Sequence, residues 1–147
     1  MSLAQQLTQD MKTALKSGDK ERLSVIRMVL ASIKKSEIDN RGPLNDEGTL
    51  QVVLREVKQR QDSISEYEKA DRQDLADKER FELGVLQAYL PEQLSEEEVR
   101  AIVLETIQAV GASSKADMGK AMGAILPKVK GKADGKLVSK LVQEALS

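Results

Sequence analysis

The chain has 147 residues, with 23 basic and 24 acidic side chains, a net charge of −1, and no histidine, cysteine or tryptophan. Those absences exclude disulfides and thiol chemistry, zinc held by nitrogen and sulfur ligands, and Ser-His or Cys-His nucleophile pairs within it. Apolar residues at 40% against 32% charged indicate a globular chain without a membrane span, and with no secretory signal visible in MSLAQQLTQDMK the default expectation is cytoplasmic.

Helical spacing recurs along the chain and sustained alternation is missing, so an all-α fold is expected. The first helix is predicted from Ser2 to about Lys16, with Leu3, Leu7, Met11, Ala14 and Leu15 inward; Gly18 ends it and Asp19 caps the next. The second, Lys20 to about Asp39, is apolar around much of its circumference, with Leu23, Val25, Ile26, Met28, Val29, Leu30 and Ile33. That pattern suits the centre of a bundle. Asn40-Arg-Gly-Pro43 breaks it. A long third helix, about Asp46 to Ala70, carries Leu50, Val53, Leu54, Val57 and Ile64, and its polar far end is expected to project. A fourth, about Asp74 to Leu90, begins acidic and ends apolar, and Pro91 stops it.

Pro91–Ser95 reads as a domain boundary, with residues 1–91 and 95–147 on either side. Ser95 and Glu98 form a capping box for the fifth helix, whose face is Val99, Ile102, Val103, Thr106, Ile107 and Val110; Gly111 closes it. Ser114 and Asp117 read as a second box. Met118, Ala121, Met122, Ile125 and Leu126 make the apolar face of the sixth helix, which Pro127 limits. Asp134 caps the seventh, with Leu137, Val138, Leu141, Val142, Ala145 and Leu146 inward.

The stretch Ser114–Leu146 holds seven lysines against Asp117, Asp134 and Glu144, a local charge of +4 in a nearly neutral chain. A basic, mobile turn of this kind neutralises phosphates, and amides around Gly131 and at the start of the Gly135 helix are candidate donors to a phosphate oxygen. A solvated polar face is the plain alternative. Gly119 and Gly123 lie one turn apart on one helix and cost about 1 kcal/mol each relative to alanine. Close packing of a neighbouring helix is the favoured compensation; approach of an RNA backbone is the other. The only aromatics are Tyr67, Phe81 and Tyr89, so base stacking on several rings is unavailable. The acids from Glu66 to Glu82 read as a helix face, without ligand spacing for a metal.

The motifs Asp117-Met-Gly-Lys-Ala-Met-Gly123 and Gly131-Lys-Ala-Asp-Gly-Lys-Leu-Val138 resemble the signature of the YqeY family. Tyr89-Leu-Pro-Glu-Gln-Leu-Ser95 and Arg27-Met-Val-Leu-Ala-Ser-Ile-Lys34 extend the likeness over nearly the whole chain. It is also similar to the tail domain of the aspartyl/glutamyl-tRNA amidotransferase B subunit and to tails of some glutaminyl-tRNA synthetases. The resemblance implies a helical N-terminal domain of about four helices, then a three-helix tail-like domain. It further implies contact with the body of tRNA through Gly119, Lys120, Gly123, Lys128, Lys130, Lys132, Gly135 and Lys136.

No catalytic constellation appears, and no cofactor or metal is expected. A glutamine-dependent carbon–nitrogen ligase label would derive from the larger amidotransferase. Three readings follow. The first is a non-catalytic adaptor for tRNA or a tRNA-handling enzyme. The second is a protein–protein module using the third and fourth helices, with Glu66 and Asp74 in contact. The third is an accessory to tRNA amidation. Oligomeric state is left open.

Overall fold

The structure, a computed structural model, describes residues 1–147. It is all-α, with no strand: α1 (Leu3–Ser17), α2 (Lys20–Asn40), α3 (Asp46–Lys69), α4 (Gln73–Gln87), α5 (Glu96–Val110), α6 (Met118–Val129) and α7 (Gly135–Ala145). The chain forms two compact units, Met1–Leu90 and Pro91–Ser147.

The first unit is organised by local signals that then meet in one core. Ser2 and Gln5 cap α1 reciprocally, and Gly18 ends it at φ 75°. That left-handed conformation is one glycine adopts without a Cβ penalty. The Asp19 carboxylate accepts from the Arg22 amide at 3.2 Å and starts α2. Asn45 accepts from the Gly48 amide at 2.8 Å and starts α3. The core is aliphatic: Leu7 from α1, Val25, Ile26, Val29 and Ile33 from α2, Val52, Val53 and Val57 from α3, and Val85 and Leu86 from α4.

Four details depart from the helical pattern. Leu15 of α1 is 57% exposed and not inward, and Met28 is 47% exposed, so α2 keeps one outward face and is not buried all round. On α3, Val52 joins Val53 and Val57 in the core while Leu50 and Leu54 are half-buried. The far end of α3 does not stand alone, because α4 folds back along it. Arg80 pairs with Glu68, and Arg60 bridges Glu56 at 2.6 Å and Glu82 at 3.2 Å. Finally, α4 stops at Gln87. The amides of Tyr89 and Leu90 bond three residues back, to Leu86 and Gln87. That tightens the last turn before Pro91, whose ring disfavours helix at the residue preceding it.

Arg60 is the one buried charge of this unit, 4% exposed, with its Nε unpartnered. The Ser32 hydroxyl donates to Glu56 at 2.6 Å, which ties α2 to the same cluster. The α4 end is fastened separately: the Tyr89 hydroxyl donates to the Asp10 carboxylate at 2.5 Å across to α1. Burial first, then this bond to Asp10, pushes the phenol well above its ordinary pKa.

Candidate nucleic-acid interface

The second unit folds around Val99 and Val103 of α5, Ala121, Ile125 and Val129 of α6, and Val138, Leu141, Val142 and Leu146 at the C-terminus. Ser95 and Glu98 exchange their side-chain bonds at 3.1 Å each and start α5. Gly111 closes that helix at φ 70°. The Asp117 carboxylate accepts from the amides of Ser113 at 2.8 Å and Ser114 at 3.4 Å, which holds it below the usual carboxylate range. Lys115–Asp117 forms a single 3-10 turn leading into α6.

Pro127 does not limit α6, which runs two residues past it. A proline at 127 removes the bond that would reach the Gly123 carbonyl. Gly123 is exposed, so water can satisfy that oxygen. Leu126 is 42% exposed, outside the core where helical spacing had placed it. Met118 and Met122 are half-buried against the core.

The basic turn after α6 is held, not loose. The Gln93 amide donates to the Gly131 carbonyl at 2.7 Å, and the Leu94 amide to the Lys132 carbonyl at 2.8 Å. The amides of Lys132 and Ala133 both bond the Val129 carbonyl, at 2.8 and 3.2 Å. Gly131 is buried at φ 75°. At the start of α7 the Asp134 carboxylate accepts from the Lys136 amide at 3.0 Å. The amides of Lys132, Ala133 and Lys136 are thus committed internally, and a carboxylate already sits at the positive end of α7. These bonds leave fewer backbone amides of this turn for a phosphate, and the exposed lysine side chains are the more accessible donors.

Of the eight residues singled out, Lys128 has another task. Its ammonium donates to the buried Thr106 hydroxyl at 3.0 Å, tying α6 to α5. Lys120, Lys130, Lys132 and Lys136 are exposed, as are Gly119, Gly123 and Gly135. A Cβ built on any of these three glycines meets nothing within 4 Å. Close packing of a neighbouring helix, the favoured reading of Gly119 and Gly123, is therefore wrong. Both lie on the outward face of α6 beside Lys120 and Leu126. No group of three or more acidic, histidine or cysteine side chains is placed to hold a metal. Glu66 and Asp74 are exposed and face Lys69 at 3.8 Å and Arg72 at 3.0 Å. No helix is long and apolar enough to cross a membrane.

A two-unit, all-helical protein with a lysine-bearing C-terminal unit is the class this architecture defines. The family model described as "Yqey-like protein" matches residues 4–146, and the chain belongs to that family. It is similar to the protein named "Altered inheritance of mitochondria protein 41, mitochondrial" of the fungus Pyrenophora tritici-repentis, 31% identical over 143 residues, 95% of this chain and 78% of the relative. The protein of the same name in Kluyveromyces lactis is 41% identical over 105 residues, 69% of this chain and 56% of the relative. That of Vanderwaltozyma polyspora is 42% identical over 85 residues, 57% and 46%. The chain thus spans about half the length of the last two. The cytoplasmic expectation is corrected by these relatives, whose names place them in mitochondria; the absence of a visible leader in one N-terminal stretch was too thin a basis for it.

Proposed function

We propose that the protein is a non-catalytic adaptor that binds tRNA through its second unit. The observation that carries this reading is the open glycine face of α6, with exposed Lys120 on the same helix. Two helical glycines with no internal neighbour, at a cost of about 1 kcal/mol each, leave backbone accessible where a bulky polyanion can approach. Lys120, Lys130, Lys132 and Lys136 lie in the same unit and supply the charge. The absence of histidine and cysteine, and the engagement of Asp117 and Asp134 as helix caps, support positioning of a substrate over its transformation.

The test is tRNA binding by the full chain across salt. Engagement of about four phosphates predicts that log K falls with log salt at a slope near −3 to −4. In a Lys130→Glu/Lys132→Glu variant binding should be lost while the chain stays folded. Binding that ignores both salt and charge reversal contradicts the mechanism.

A further inference from the structure

The outward face of α2 carries a pattern that the second unit does not explain. Ser24, Met28, Ala31, Lys35 and Ile38 follow one another at spacings of four, three, four and three residues. That is the seam spacing of a coiled coil, which keeps one stripe facing a partner helix. All five are exposed, Met28 at 47% and Ile38 at 68%. The seam is about 21 Å long, at 1.5 Å per residue.

Beside it runs a column of cations. Lys20, Arg27 and Lys34 are spaced seven residues apart and all exposed. Residues seven apart occupy nearly the same angular position on a helix, so the column flanks the seam along its length, where charged residues of a coiled coil select their partner. No carboxylate pairs with these three or with Lys35. Lys20, Ser24 and Met28 also line the cleft toward α4, which carries Asp74, Asp77, Glu79 and Glu82, so Arg27, Lys34 and Ile38, outside that cleft, are the discriminating members. The buried side of α2 is used by Leu23, Val25, Ile26, Val29 and Ile33, and none of the seam residues is among the buried core.

We infer that this face docks an amphipathic helix of a partner protein that bears a column of carboxylates beside an apolar seam. Charge complementarity selects that occupant. A second copy of the same face would set like charges opposite each other. A nucleic acid would use the cations but has no use for Met28 and Ile38 in register.

The probe is a synthetic 21-residue helical peptide with leucines at alternating three- and four-residue spacing and glutamates every seventh residue, titrated against the full chain by fluorescence anisotropy. Its binding is expected to weaken at least about tenfold in Arg27→Glu/Lys34→Glu and also in Met28→Ser/Ile38→Ser, because attraction and apolar contact are both needed. Should the double reversal unfold the chain, Arg27→Gln/Lys34→Gln reports the same loss. tRNA affinity is expected to stay within about twofold in all these variants, which separates this surface from that of the second unit. Any of three results overturns the proposal: no binding of the acidic peptide, equal binding of a peptide of the same composition with scrambled register, or a dimer in sedimentation that Met28→Ser/Ile38→Ser dissolves. A loss of tRNA affinity in the charge variants with none in Met28→Ser/Ile38→Ser would make the face a nucleic-acid surface instead.

Discussion

Glu79 shows how a single carboxylate can oppose the fold that holds it. It lies half-buried on α4 beside the Arg60 cluster, and its pKa is raised first by burial and then by the neighbouring Glu82 charge. A carboxyl whose folded pKa lies above its unfolded value binds its proton more tightly in the fold. Its contribution is favourable below the unfolded pKa and lost as pH rises through the folded one. Glu79→Gln is therefore expected to raise the melting temperature at neutral pH and to leave it nearly unchanged at pH 4. A melting series of both proteins over that range checks it; destabilisation at neutral pH would show that the Arg60 attraction outweighs burial. Arg60 itself was not legible in the sequence. An arginine in a helix reads as a solvent-side residue, and its burial depends on Glu82 arriving from α4 only after the hairpin has closed.

At the scale of the element, caps and stops were the most readable features, because a few adjacent residues determine them. Asp19, Ser95 with Glu98, and Asp134 each sit at the helix start their chemistry indicates, and Gly18 and Gly111 at the ends. Faces were less readable. Helical spacing assigned Leu15, Met28 and Leu126 to the interior, but which side of an apolar-rich helix stays outside depends on where its neighbours lie. The clasp between Tyr89 and Asp10, 79 residues apart, has no local signal. Its contribution is measurable: a hydrogen bond to a carboxylate is worth about 1.5 kcal/mol. Tyr89→Phe should lower stability by about that amount in urea unfolding, with an unchanged m-value. An effect near zero would mean that water replaces the bond at the α4 end.

At the scale of the whole molecule, the two units carry separate cores that share no residue. Residues 91–147 contain their own caps and the Gln93 and Leu94 bonds that hold the basic turn. Expressed alone, that segment is expected to be helical and to melt cooperatively, though with small stability for its size; a spectrum of unfolded chain would show that the first unit is needed. The family and the helical class were legible from motifs spread over the chain, and membership rests on a match over residues 4–146. The candidate site was legible in composition only. Lysine number and glycine spacing are visible in sequence, whereas the engagement of Lys128 by Thr106 and the open space over Gly119 and Gly123 arise from how α5, α6 and α7 pack.

The glycine face allows the most direct test of the functional reading, because it sets folding against binding. Gly119→Ala/Gly123→Ala fills empty space on an exposed helix, so stability should rise by about 1 kcal/mol per site. If RNA backbone approaches there, the added methyl groups hold it off, and tRNA affinity should fall by about tenfold, or about 1.4 kcal/mol. Melting and tRNA binding measured on the same preparation decide the matter. A more stable protein that binds tRNA less well is the predicted result; a more stable protein that binds tRNA as well as before would contradict the account.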